Sequence, residues 1–196
     1  MAKDYSILLT HSLNQCNHFI APKQLPELVH LDDPAFDAMI NFEHVKPLSI
    51  EQDRRMNDAR VEMENSLLHV MLVTDETDCL IGIITLTDIL GAKPVKLQET
   101  LRIERKKIKI KHIMTPIKDL VAIDYDNLLP AKIGHVVSTL LSLKQHYALV
   151  SQTNADSGEQ VIKGLFLDSE ISKQLGINIH SQPILSLTEL QYKLST

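Results

Sequence analysis

One pattern runs through this chain twice. The first copy reads HVKPLSI (44–50), a helical stretch, HVMLVTD (69–75) and LIGIITLTDIL (80–90). The second reads DLVAIDY (119–125), a helical stretch, HYALVSQ (146–152) and VIKGLFLDSEIS (161–172). An internal repeat constrains a fold more than any local propensity, because each copy is one supersecondary unit that cannot bury its apolar face alone. Both copies give the order strand, helix, strand, strand, helix, which sets an α/β (α+β) class.

The periodicities agree between copies. Met56, Ala59, Met63 and Leu67 fall at steps of three and four with Asp, Arg and Glu opposite, the stripe of a helix lying on a sheet. Ile133, Val136, Val137, Leu140 and Leu141 make the same stripe, with Pro130 expected in the first helical turn, where its missing N–H costs nothing. Val70–Val73 and Tyr147–Val150 are short apolar runs suited to buried strands, and each precedes a turn, Asp75–Asp78 and Asn154–Gly158.

The repeats divide the chain into an N-terminal flanking segment (1–40), a first repeat (41–95), a basic connector (96–112), a second repeat (113–178) and a short C-terminal helix (179–196). In the connector, Arg102, Arg105, Lys106, Lys107, Lys109 and Lys111 interleave with Ile103, Ile108 and Ile110, which predicts an edge strand with a solvated cationic face. Ser186-Leu187-Thr188-Glu189 is a capping-box pattern, and Leu187, Leu190 and Leu194 give that last helix an apolar face for docking or dimer contact.

Composition narrows the function classes. With 196 residues, 44% of them hydrophobic, the chain can bury a substantial core. A net charge of -5 gives no global attraction to nucleic acid or anionic membrane. No apolar run approaches the ~18 residues of a membrane span. The two cysteines, Cys16 and Cys79, are too few and too far apart for a secreted disulfide framework, so a reducing, cytoplasmic location is expected. His11, Cys16 and His18 have metal-ligand chemistry, but no fourth ligand lies near, and no metal is expected. Nucleophile-elbow, Walker, His-Glu-x-x-His and dinucleotide glycine patterns are all missing, so the chain is not expected to be an enzyme.

The chemistry concentrates at Gly82-Ile83-Ile84-Thr85-Leu86-Thr87-Asp88, where a buried strand runs into a helix. Glycine lets a ligand approach the backbone, Thr85 can donate to a phosphate, and Asp88 can accept from a ribose diol. The same residues also suit a purely local role, with Thr85 or Thr87 capping the helix and Asp88 favouring its N-terminal dipole.

The repeat order, GIITLTDIL at 82–90 and HIMTP at 112–116 together resemble the tandem CBS (cystathionine beta-synthase-type) pair of stand-alone, bacterial-type proteins, over residues 38–178 or so. The resemblance implies two repeats packed sheet to sheet as a Bateman module, with clefts for AMP, ADP, ATP or S-adenosylmethionine and no prosthetic group. It implies Thr85 at phosphate, Asp88 at the ribose hydroxyls and Gly82 keeping the backbone accessible. His44, Val45 and Pro47 before the first strand, with His69 and Met71 on the next, would wall the base. Many such modules form flat dimers, so a homodimer with an unidentified protein target is expected.

The second repeat departs from that pattern. Leu167 stands where a hydroxyl is expected and Glu170 where aspartate is, while Asp168 and Ser169 read most simply as helix caps. Met114-Thr115-Pro116 precedes the second copy and has no counterpart before the first, so the well-formed parts of the motif are divided between repeats. The leading expectation is a non-catalytic sensor that binds an adenosine-containing ligand in the first repeat and transmits it by repacking of repeats or dimer. The alternatives are a CBS-pair scaffold without nucleotide, and nucleic-acid binding through the basic connector.

Overall fold

A computed structural model describes residues 6–12, 18–19, 28–66 and 68–179. In chain order the elements are β1 (Thr10–Ser12), β2 (His18–Phe19), β3 (Ile40–Asn41), β4 (Ser49–Glu51), α1 (Met56–Asn65), β5 (Val70–Thr74), β6 (Leu80–Thr85), α2 (Leu86–Leu90), α3 (Ala92–Leu101) and β7 (Thr115–Pro116). They continue with β8 (Val121–Asp124), α4 (Tyr125–Leu128), α5 (Ile133–Leu143), β9 (Tyr147–Thr153), β10 (Gln160–Leu167) and α6 (Asp168–Leu175). No helix among the described residues is long and apolar enough to cross a membrane.

The chain forms two compact units. Over the described core segments, one spans 47–120 and the other joins 28–46 to 121–179. In the 47–120 unit the sheet order is β4-β5-β6-β7. β4 runs parallel to β5, and β5/β6 and β6/β7 are antiparallel. Ile50, Met56, Ala59, Met63, Met71 and Ile84 close the core between this sheet and α1, as the helical stripe predicts. Leu67, the last member of that stripe, lies outside the described residues.

The other unit has the same topology. β8 is parallel to β9, β9 antiparallel to β10, and β10 antiparallel to β3. β1 and β2 extend this sheet beyond β8 and β10. Val136, Val137 and Leu140 of α5 pack with Ile123, Val150 and Phe166, and Val29, Ala35 and Met39 from the N-terminal flank complete the core. Pro130 sits ahead of α5, whose N-cap is Lys132, and not in its first turn as expected.

A strand from the lead-in to one copy therefore completes the sheet of the other. β7, just ahead of the second copy, belongs to the 47–120 unit, and β3, just ahead of the first, pairs with the last strand of the second. Each contact falls on the repeat's glycine: Gly82 opposes Pro116, and Gly164 opposes Asn41.

The connector is not an edge strand. Residues 92–101 are α3, followed by short 3-10 turns at Arg105–Lys107 and Ile110–His112. Met56 N donates to Ile108 O at 2.9 Å and Ile110 N to Arg54 O at 3.0 Å, so this segment lies against the loop before α1. Ile108 and Ile110 are buried while Lys109 and Lys111 both pair with Asp53. Alternation thus reported burial correctly, but the hydrogen bonds go to a loop. Cys79 is disulfide-bonded, against the expectation of reduced thiols. The expectation rested on the small number and wide spacing of the cysteines, and spacing along a sequence sets no bound on separation in space.

Candidate ligand site

The end of β6 is shaped by a glycine. A Cβ on Gly82 would lie 2.6 Å from Thr115 O, 3.1 Å from Met114 Sδ and 3.3 Å from Pro116 Cα. The expectation that Gly82 leaves room for a ligand is therefore replaced: the room is taken by β7. That close approach seats Thr115 opposite Ile83 and brings Met114-Thr115-Pro116 onto the same sheet as Thr85 and Asp88. The motif parts that looked divided between repeats meet in one unit.

Three residues after Gly82 the strand turns into a helix. Thr85 is the N-cap of α2, with extended φ and ψ of -114° and 160°. Its Oγ1 accepts from Asp88 N at 3.1 Å and donates to Asp88 Oδ2 at 2.8 Å, and Thr85 N donates to the same Oδ2 at 2.9 Å. The pair is a reciprocal capping box, worth about 1 kcal/mol to the helix start. Both local roles read for these residues are realised. A hydroxyl has one proton, and that of Thr85 is committed to Asp88.

The other carboxylate oxygen is held by a residue that sequence reasoning missed. Lys93 Nζ, from the first turn of α3, lies 2.7 Å from Asp88 Oδ1, with Asp88 14% and Lys93 45% exposed. The same ammonium donates to Ile113 O at 3.0 Å and to Thr115 Oγ1 at 3.4 Å. A half-exposed pair of this kind contributes roughly 0–1 kcal/mol, so it organises the site more than it stabilises the fold. Lys93 was missed as a site residue because Asp88 lies on the preceding helix and the other two acceptors come from 20 and 22 residues further along the chain.

The structure brings Gly82, Thr85 and Asp88 together at the end of β6; of the expected walls, Pro47, His69 and Met71 lie in the same unit and His44 and Val45 in the other. Pro47 is buried ahead of β4, and His69 is exposed, its carbonyl accepting from Leu86 N at 2.9 Å. Met71 pairs with Ile84 and is packed into the apolar core at 1% exposure, with no open face. His44 and Val45 form a turn after β3, each N–H bonded to Asn41 O, and belong to the unit of β10.

The corresponding place in the other unit is built from different chemistry. Leu167 is the N-cap of α6 and makes no side-chain cap bond. Asp168, expected as a cap, is the first residue of the helix, and its Oδ2 lies 2.6 Å from His146 Nδ1. Glu170 lies 3.8 Å from Lys173. No hydroxyl–carboxylate box forms at this strand–helix junction.

The charge of the basic connector is partly offset by two shared carboxylates, Glu104 within it and Asp53 before α1. Lys106 and Lys107 pair with Glu104, Lys109 and Lys111 with Asp53, and Arg105 donates to Ile89 O at 3.2 Å. Hydrogen bonds from Lys109 and Lys111 hold the Asp53 carboxyl below its ordinary range, and those from Lys107 and Lys106 do the same for Glu104. No group of three or more His, Cys, Asp or Glu among the described residues is placed to hold a metal, and the His11, Cys16 and His18 cluster lies outside the described side chains.

The family model of the CBS domain matches residues 40–94. Among solved structures, an uncharacterized conserved protein from Pyrococcus horikoshii is similar at 14% identity and a TM-score of 0.50, over 81% of this chain and 99% of that one. CBSX2, solved in complex with AMP, is similar at 16% identity and a TM-score of 0.50, over 72% of this chain and 94% of that one. Likeness at this identity is likeness of fold. No curated protein matches the chain.

Proposed function

We propose, for a chain that is a CBS-domain protein with its matched domain at residues 40–94, that it is a non-catalytic regulatory module binding an adenosine-containing ligand at the end of β6. The observation that carries this is the convergence of Thr85, Asp88, Lys93 and Thr115, which β7 completes by crossing at Gly82. Asp88 supplies the acceptor for a ribose diol, and Thr85 supplies a hydroxyl that must exchange its bond to Asp88 for one to phosphate. The AMP complex of CBSX2 supports the ligand class, through likeness of fold. Binding biases the affinity for an unidentified protein target, through repacking of the repeats or of a homodimer.

Calorimetric titration of AMP, ADP, ATP and S-adenosylmethionine into wild-type protein and Asp88→Asn tests it. At least one ligand should bind the wild type, and Asp88→Asn should weaken that ligand about tenfold or more, the worth of a hydrogen bond to a charged group. Four flat titrations would reject the proposal. They would instead favour a nucleotide-free scaffold, a reading that draws support from Leu167 and from the closure of Thr85 and Asp88 on each other.

A further inference from the structure

We propose that Lys93 makes this site select phosphorylated nucleosides over bare ones, by holding Asp88 until a phosphate draws its ammonium away. The inference rests on the reading of the β6 terminus as an adenosine site, and goes beyond it by naming the residue that sets ligand preference.

The placement of Lys93 is unusual for a lysine. It is the second residue of α3, at a helix end whose partial charge is positive and opposes a cation. Its ammonium is held there by acceptors: Asp88 Oδ1 at 2.7 Å, Ile113 O at 3.0 Å and Thr115 Oγ1 at 3.4 Å. These use all three of its N–H groups. Asp88 Oδ2 meanwhile accepts twice, from Thr85 N and Thr85 Oγ1. The oxygen left for a ribose hydroxyl is Oδ1, and Lys93 sits on it.

A bare nucleoside must share that oxygen with a cation that already draws on its charge, and offers the ammonium no anion to turn to. A nucleotide brings its own anion. Lys93 is 45% exposed on a flexible four-carbon stem, so it can swing to a phosphate while Asp88 turns to the ribose. Since the Thr85 hydroxyl must first give up its bond to Asp88 to reach a phosphate, this ammonium is also the better placed donor.

The test compares AMP with adenosine on wild type, Lys93→Gln and Lys93→Arg by calorimetry. Wild type should favour AMP, and Lys93→Gln should shrink the AMP-to-adenosine affinity ratio about tenfold or more, by weakening AMP while leaving adenosine unchanged or tighter. Lys93→Arg keeps the charge and should keep most of the ratio. If Lys93→Gln alters both affinities by one common factor, or neither, the inference is overturned and the site reading stands. If wild type binds neither compound, the inference is overturned while the site reading still rests on ADP, ATP and S-adenosylmethionine; if Asp88→Asn binds AMP as well as wild type, the site reading itself fails and the inference falls with it.

Discussion

Gly82 and Gly164 stand where a neighbouring strand crosses the last strand of each copy at close range. Both were visible as the glycines of the last strand in each copy, and a ligand's need for backbone access was the natural explanation for the first. In the structure each yields space to a backbone segment: a Cβ on Gly82 would meet Thr115 O at 2.6 Å, and one on Gly164 would meet Ile40 O at 2.8 Å. A backbone carbonyl held in a sheet cannot move aside as a side-chain end can. Gly82→Ala should therefore destabilise the protein by about 1–3 kcal/mol through overpacking, lowering Tm by roughly 2–4 °C per kcal/mol. Differential scanning calorimetry measures this. The capping box was equally legible, since Thr85 and Asp88 sit three apart at a strand–helix junction. Lys93 was not legible, because its contact with Asp88 depends on how α3 turns back on α2 after Gly91, and its acceptors at Ile113 and Thr115 are brought in by the long-range pairing of β7.

At the scale of elements, the strands and helices of both copies stand where hydrophobic periodicity put them, because each has one face on a core and the period of that face is local information. The connector failed on the same principle. Ile108 and Ile110 alternate with Lys109 and Lys111 and are buried while the lysines are not, yet the segment forms a 3-10 turn against the loop before α1. Alternation records which side faces the core and is silent on the partner. Asp53 ties that loop to the connector, and hydrogen bonds from Lys109 and Lys111 hold its carboxyl below the ordinary 3.8. A carboxyl depressed in the folded state stabilises fully above its unfolded value and loses that contribution as pH falls through the folded one. Asp53→Asn should thus lower the urea midpoint at neutral pH, and the gap to wild type should close as the pH is taken below about 3.

Across the whole molecule, the repeat made the fold legible and concealed the site. Two copies in tandem suggest two self-contained units, whereas each unit takes its fourth strand from the lead-in to the other copy: β7 on β6, and β3 on β10. Order along the chain cannot reveal such an exchange, which is why Met114-Thr115-Pro116 was assigned to the second copy and His44 and Val45 to the first. Once the exchange is known, the degenerate junction at Leu167–Glu170 and the complete one at Thr85–Asp88 fall in different units. One unit brings together a hydroxyl, a carboxylate and an ammonium, and the other has a leucine and a His146–Asp168 pair in their place.

That asymmetry is the central claim, and backbone amide chemical-shift mapping during an AMP titration tests it most directly. The shifts should concentrate at residues 82–88, 93 and 113–115 and spare the junction at 167–170. Shifts centred on 167–170, or none anywhere at saturating AMP, would contradict it.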